Sequence, residues 1–159
     1  HLGVRRQRQM CIRDRHEYTL GRQIATLARA WRLELDRRLM PCGLSQARYV
    51  LMVYLAEAEG PLAQTDLAER AGITGPTLVR HVDQLETQQL VSRTDATGDR
   101  RVKNVSLTEQ GWAAYRQADD IATTLRDEIT KPFGHSDLST TQQVLRDLST
   151  QFESIRGKS

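Results

Sequence analysis

The stretch from residue 64 to residue 107 constrains the fold most, because two short helix patterns meet at a glycine and two strand-like segments follow. In the first pattern three apolar residues recur at helical spacing, namely Leu67, Ala68 and Ala71. Gly72 then supplies the left-handed conformation that commonly ends a helix. We expect the Thr74 hydroxyl to cap the second helix, with Pro76 in the first turn, where a missing N–H removes no helical hydrogen bond. This second helix should end near Gln88.

The second helix has an apolar face and a polar face. The apolar face consists of Leu78, Val82 and Leu85, and the polar face consists of Thr77, Arg80, His81, Gln84 and Gln88. Arginine forms paired hydrogen bonds with guanine and glutamine does so with adenine, while a helix N-terminus favours phosphate. The pattern therefore favours a helix that contacts base pairs, with a DNA-contacting start at Thr74, Gly75 and Pro76. A polar face that is merely solvated is the alternative.

The segment after this helix is predicted to be a β-hairpin. Residues 91–94 and 102–107 have strand-like composition, and the residues between them are of types that favour turns, including Asp95, Gly98 and Asp99. The hairpin carries four cations, Arg93, Arg100, Arg101 and Lys103. An arginine that enters a narrow minor groove gains from the enhanced negative potential there. We therefore interpret the hairpin as a DNA-binding wing in which Asp99 braces a tip arginine.

Three motifs together resemble the MarR family of winged-helix transcriptional regulators and, within it, the SlyA-like branch. They are LARAWR at residues 27–32, GPTLVR at residues 75–80, and DRR at residues 99–101 followed by LTEQG at residues 107–111. The resemblance implies a homodimer on a pseudo-palindromic double-stranded operator, with recognition helices in major grooves and wings in the flanking minor grooves. It also implies a response to small aromatic carboxylates or phenols. Ala63 departs from the family, in which a Ser or Thr often caps that helix.

The residues before the helix pair predict two further helices. An amphipathic helix should span residues 18–40 and stop at Pro41 and Gly43. Ser45 should cap a shorter helix that runs through Ala56 and is apolar on more than one side, which is typical of a central core helix.

The residues after the hairpin predict two more helices. Thr108 should cap a long helix that runs toward Lys131, and Ser136 should cap the last one. The last helix carries residues at spacings of three and four, namely Leu138, Thr141, Leu145, Leu148, Phe152 and Ile155. From the resemblance, we expect the first and last helices to form a dimer interface, and packing within one subunit is the alternative.

We therefore expect a mainly α fold with a small β-wing. A winged helix-turn-helix DNA-binding domain should occupy residues 46–111, and dimerisation helices should occupy residues 17–45 and 112–159. Residues 1–16 carry five arginines and one aspartate, whereas the rest of the chain has 18 basic and 19 acidic residues. The total charge is therefore no evidence for DNA binding, and the local charge of the wing matters instead.

The segment at residues 1–16 resembles the translation of sequencing-adapter DNA, and we interpret it as a non-native or disordered tail. The alternative is a native basic arm that contacts the DNA backbone.

A ligand pocket is expected where the dimerisation helices meet the winged domain. Trp31 and Tyr49 would supply aromatic walls, and Arg29, Arg32 or Arg48 would meet a carboxylate, because the arginine fork suits that group. In the alternative interpretation these aromatic residues belong to the core and the arginines to the solvated surface.

Motifs of enzymes, cofactors and metals are not found in the sequence. Two cysteines, Cys11 and Cys42, exclude a disulfide framework, and the histidines lack metal-ligand spacing. No apolar run approaches the ~20 residues that cross a bilayer, and no secretory segment is recognised, so we expect a cytoplasmic protein without membrane contact.

Two other function classes stay open. One is a winged-helix protein–protein interaction module that does not bind DNA and whose wing cations are paired internally, and the other is an aromatic-acid-binding protein that acts without DNA.

Overall fold

The fold is mainly helical with one small antiparallel sheet, as the sequence predicts. In the computed structural model the backbone is described for residues 2–96 and 99–157, and side chains are described for residues 19–95 and 102–157. The helices in this part of the chain are α1 (Leu2–Leu39), α2 (Gln46–Glu57), α3 (Gln64–Ala71), α4 (Gly75–Thr87), α5 (Glu109–Thr130) and α6 (His135–Arg156). The strands are β1 (Leu62–Ala63), β2 (Val91–Ala96) and β3 (Asp99–Leu107). The chain divides into two compact units, His1–Ile121 and Ala122–Ser159.

Helix α1 ends where the sequence predicts but begins earlier. It starts at Leu2 rather than near Tyr18, and it gives way at Leu39 to a short 3₁₀ turn. Gly43 then adopts the left-handed conformation, with φ of 71°, which ends that turn. The Ser45 hydroxyl accepts a hydrogen bond from the Arg48 backbone N–H at 3.4 Å, which confirms the predicted cap of α2.

The helix pair α3–α4 has the predicted bounds to within one residue. Gly72 has φ of 63° and ends α3, and Pro76 lies in the first turn of α4. The predicted hydroxyl cap at Thr74 is wrong, because that hydroxyl bonds to the Thr77 hydroxyl at 2.9 Å instead of to a backbone N–H. The Ala63 side chain makes no cap for α3, as its departure from the family pattern predicts.

The sheet has the strand order β1-β3-β2, and all its pairs are antiparallel. Strands β2 and β3 form the predicted wing, with Arg93 opposite Val105 and an irregularity in register after Asp95. The short strand β1, which pairs Leu62 with Val105, was not predicted because two residues are too few to show alternation. It joins the base of the wing to the helix pair.

The core of the first unit fixes the orientation of α4. Its apolar stripe, Leu78, Val82 and Leu85, has side chains that are at most 1% exposed. Other residues buried in this unit come from several elements and include Leu35, Leu39, Leu51, Met52, Leu55, Leu67, Leu90 and Val105. Because one face of α4 is committed to the core, its opposite face must point outward.

A close backbone approach fixes the base of the wing. The Thr108 N–H donates to the Leu90 carbonyl at 3.1 Å, and the Thr108 hydroxyl accepts from the Gly111 N–H at 2.9 Å, which confirms the predicted cap of α5. A Cβ atom at Gly111 would lie only 1.9 Å from the Leu90 carbonyl oxygen. This glycine is therefore required by contact between two stretches of backbone.

In the second unit, α6 leaves several of its large apolar side chains exposed. None of its described residues is buried, and Phe152 and Ile155 are 64% and 62% exposed. The predicted cap at Ser136 is wrong, because α6 begins at His135 with Gly134 as the capping residue and without a side-chain hydrogen bond. None of the described helices is both long enough and apolar enough to cross a membrane.

Candidate nucleic-acid interface

The outward face of α4 presents the polar residues that the sequence singled out. Arg80 and Gln84 are exposed and lie one turn apart, on the face opposite the buried stripe. Thr77 is half-buried and is engaged with Thr74. The side chains of Arg80 and Gln84 are therefore the parts of this face that are available to base edges.

His81 lies between these two residues in sequence and is half-buried. Burial lowers the pKa of its imidazole below the usual 6.5, and the nearby charges of Arg80 and Arg48 lower it further, against the opposing effect of a hydrogen bond with Gln84. Both effects favour the neutral form of the imidazole. Its Nδ1 atom is buried and has no hydrogen-bond partner among the described side chains.

The start of α4 is open to a large partner. Gly75 and Pro76 are both exposed, and a Cβ atom added at Gly75 would meet nothing within 4 Å. The backbone N–H groups of a helix start attract anions, because they lack partners within the helix. This end of the helix is therefore accessible to an anion such as a phosphate.

Arg93 is held against α4 rather than directed outward. Its guanidinium donates to Asp83 Oδ1 at 2.5 Å and to Glu86 Oε2 at 2.7 Å, and it also lies 3.4 Å from the Val79 carbonyl oxygen. Its side chain is only 21% exposed. The structure thus places this predicted DNA-contacting residue in a link between β2 and α4, where it neutralises two carboxylates on that helix.

The other wing cations differ in what the structure describes. The Lys103 ammonium pairs with the Asp95 carboxylate across the two strands, and both side chains are about half exposed. Asp99, Arg100 and Arg101 lie in β3, but their side chains fall outside the described residues.

Arg48 lies beside α4, although the sequence placed it with the ligand-binding residues. Its Nη1 donates to Gln88 Oε1 at 2.9 Å and its Nε to the Ser45 hydroxyl at 3.3 Å. Gln88 in turn donates to the Gly43 carbonyl at 3.1 Å. These residues border an open cleft of about 360 Å³ that is lined by Arg48, Asp83, Gln84, Thr87 and Gln88.

The remaining predicted ligand residues are spread over α1 and α2. Tyr49 is buried, and its hydroxyl donates to Asp119 Oδ1 at 2.7 Å, whereas Arg48 faces the cleft. On α1, Trp31 is half-buried, and the two arginines that the sequence singled out there, at positions 29 and 32, are exposed. Arg48 and Tyr49, although adjacent in sequence, thus have different surroundings.

Sequence reasoning missed an aromatic cluster around Tyr49. Tyr115 stacks on Tyr49 with ring centres 6.5 Å apart, and Trp112 meets Tyr115 edge-on at 5.9 Å. Burial raises the pKa of the Tyr115 phenol above 10, and the nearby Asp119 and Glu57 carboxylates raise it further. The spacing of three between Trp112 and Tyr115 on one helix was the available signal.

Metal chemistry finds no support in the described part of the chain. It contains no group of three or more His, Cys, Asp or Glu side chains that is placed to hold an ion. The described cysteine, Cys42, is half-buried and has a free thiol.

Comparisons with known proteins agree with this geometry. The model of the MarR family matches residues 43–102, which span α2 to the second wing strand. The crystal structure of the transcriptional regulator PA3341 is 38% identical, with a TM-score of 0.77 over 85% of this chain and 98% of that one. A mutant MarR from E. coli, solved in complex with operator DNA, is 23% identical, with a TM-score of 0.75 over 82% of this chain and 93% of that one. CouR from Rhodococcus jostii RHA1, solved with p-coumaroyl-CoA, is 21% identical, with a TM-score of 0.73 over 81% of this chain and 90% of that one.

Proposed function

The chain belongs to the MarR family of transcriptional regulators, and from that premise we propose that it is a homodimer that binds a specific double-stranded operator through α4. The observation that carries this proposal is the outward face of α4. Arg80 and Gln84 are exposed there while the opposite face is held in the core. A rigid helix with base-pairing side chains one turn apart fits the major groove.

In the proposed complex Arg80 pairs with guanine and Gln84 with adenine, and the start of α4 accepts a phosphate. The E. coli neighbour that was solved with operator DNA shares the fold and supports this arrangement at that level. A two-fold dimer would contact two half-sites about one helical turn apart, so the operator should be an inverted repeat.

The experiment that tests this function is selection of bound sites from random duplex DNA, followed by sequencing. We expect enrichment of an inverted repeat whose half-site centres lie about 10 base pairs apart.

A wing whose cations are all paired internally would favour the protein–protein module instead, and Arg93 and Lys103 do have carboxylate partners. Failure to enrich any sequence, together with no affinity for duplex DNA, would favour that alternative.

The wing is proposed to enter the minor groove through Arg101, with Asp99 as its brace. The strand pairing that carries the wing supports this proposal, because β3 begins at Asp99 next to the tip. Asp99→Ala should weaken operator binding as Arg101→Ala does, although it removes a negative charge. Tighter binding by Asp99→Ala would instead identify this carboxylate as a repulsive surface charge.

The proposed dimer is supported by apolar residues that the chain itself leaves exposed. On α1, Leu20, Ile24 and Leu27 are 40–65% exposed, and α6 exposes Phe152 and Ile155. Large exposed apolar surface commonly marks an interface. Replacing both Phe152 and Ile155 by Glu should give monomers in sedimentation, whereas Ser154→Glu on the same helix should leave the dimer intact.

A small aromatic carboxylate or phenol is the proposed effector, with the exposed Arg29 and Arg32 and the half-buried Trp31 as its contacts on α1. A neighbour of the same fold that binds an aromatic acyl-CoA ester supports this ligand class. Benzoate should raise the melting temperature of the protein, and Arg32→Ala should reduce that rise.

We also propose a place in the SlyA-like branch, from the motif at residues 75–80, and a cytoplasmic location.

A further inference from the structure

We infer that Arg48 binds a backbone phosphate of the DNA in the cleft beside α4, an inference that rests on the DNA binding proposed above. Arg48 belongs to α2 and lies outside both the recognition helix and the wing. It would therefore provide a third point of contact, which anchors the helix pair on the duplex.

The geometry of the guanidinium favours this role. Two of its nitrogens are occupied on the protein side, Nε by Ser45 at 3.3 Å and Nη1 by Gln88 at 2.9 Å. Over the described residues, its Nη2 makes no hydrogen bond and no carboxylate lies within ion-pair distance of the side chain. Arg48 is thus an oriented cation whose remaining donors are available to an anion.

The one carboxylate that lines the cleft is already neutralised. Asp83 accepts from Arg93 at 2.5 Å, and that arginine also pairs with Glu86 at 2.7 Å. Arg80 adds positive charge nearby, since its charge and that of Arg48 both lower the pKa of His81. The pairing of Arg93 with these two carboxylates of α4 therefore leaves the cleft suited to a phosphate.

The lining of the cleft favours a phosphate of DNA over a small aromatic acid. The cleft is open and its five lining residues all carry polar or charged groups, whereas a site for an aromatic ring encloses most of the ligand. Gln84 lines the cleft and also belongs to the outward face of α4, so a phosphate bound here would adjoin the base pairs that α4 contacts. The arginine fork matches phosphate geometry.

The test is the salt dependence of binding to a random-sequence duplex, which needs no knowledge of the operator. Each phosphate contact that is lost lowers the slope of log affinity against log salt by about 0.9. Arg48→Gln should lower the slope by about that amount for each bound subunit, and Arg48→Lys should preserve it. Arg116→Gln is the matched control, because it removes one exposed positive charge from α5, a helix to which no DNA contact is assigned, so the slope should stay near that of the wild type.

A second variant, Gln88→Glu, covers the case in which Arg48→Gln does not fold. Its carboxylate would pair with Arg48 and should lower the slope to a similar extent. If the salt slope is unchanged in both Arg48→Gln and Gln88→Glu, the phosphate contact is wrong. It is also wrong if Arg48→Gln keeps the wild-type slope but loses the rise in melting temperature that benzoate causes, because Arg48 would then bind the carboxylate instead. A wild-type chain without salt-dependent duplex binding would contradict the proposed function itself, so the two failures are distinguishable.

Discussion

Helix α4 and the wing are held in place by different interactions. Helix α4 is anchored by three side chains that are at most 1% exposed, and it leaves Arg80 and Gln84 without a role in the core. The wing is fixed at its base by backbone contacts around Leu90, and farther out by ion pairs of Arg93 and Lys103. Helix α4 is positioned by apolar packing, whereas the wing is positioned by backbone contacts at its base and by ion pairs farther out.

The wing shows that a cation near the surface need not be available to a partner, because a carboxylate of the same chain can already pair with it. Arg93 was predicted to be one of the DNA-contacting cations of the wing, but its guanidinium already pairs with Asp83 and Glu86. Its structural effect is to neutralise two carboxylates on α4 and to link β2 to that helix. Arg48 was assigned to a ligand by its sequence, yet it stands beside α4 without a carboxylate partner in the described structure.

The largest expected effect is on the base of the wing. Gly111→Ala places a Cβ atom 1.9 Å from the Leu90 carbonyl oxygen, and because both groups are backbone, the strands or α5 must shift. We expect a loss of about 1–3 kcal/mol in the free energy of unfolding, as for an overpacked site, measured by urea denaturation. Gly60→Ala is the control, since its Cβ would meet nothing within 4 Å. Equal stability of the two variants would show that the wing base is not fixed by this contact.

Arg93→Ala should have the next largest effect. It removes charge-assisted hydrogen bonds to Asp83 and Glu86, and we expect a loss of about 1 kcal/mol of stability after allowing for partial exposure. Duplex binding should also weaken, because two carboxylates on α4 are uncovered. Adding Asp83→Asn and Glu86→Gln to Arg93→Ala should restore part of the affinity. If Arg93→Ala binds duplex DNA as tightly as the wild type, neutralisation of the α4 carboxylates by Arg93 does not matter for DNA binding.

A smaller effect is expected at the turn between α4 and β2. Gln89 has φ of 60°, a left-handed conformation that a non-glycine residue adopts only with strain. Gln89→Gly should therefore raise the free energy of unfolding, by up to about 1 kcal/mol, after the greater freedom of glycine in the unfolded chain is counted. Gln89→Ala, which keeps a Cβ, should show no such gain. A destabilised glycine variant would mean that the glutamine side chain offsets the strain.

The smallest effect is expected for Lys103→Ala. Its pair with Asp95 is half exposed, and such pairs contribute about 0–1 kcal/mol. Thermal unfolding in low and high salt measures this contribution, which should vanish in high salt. A loss above 1 kcal/mol that persists in high salt would show that the wing depends on this pair more than on its base.

Features that depend on local sequence were predictable. Gly72, Pro76 and the stripe of Leu78, Val82 and Leu85 occupy their expected places, because caps and periodicity act over a few residues. The Thr74 cap was wrong because a second hydroxyl, that of Thr77, competes for the same oxygen.

Features that depend on distant residues were not predictable. The Arg48–Gln88 hydrogen bond joins residues 40 apart in sequence, and the Arg93–Asp83 pair joins residues 10 apart that lie on a strand and a helix. No periodicity brings such partners together, since their contact depends on how α2, α4 and β2 pack. For the same reason the sequence showed which cations exist but not which of them are already paired.

The most direct test of the account is site selection repeated with Arg80→Ala alongside the wild-type chain. Because α4 is fixed by its buried face, loss of this side chain should not move the helix. We predict that Arg80→Ala loses base preference at one position in each half-site, weakens binding to the wild-type site by about 1–3 kcal/mol, and keeps the remaining preferences. A variant that selects the same sites with the same affinity would contradict the claim that the outward face of α4 reads the operator.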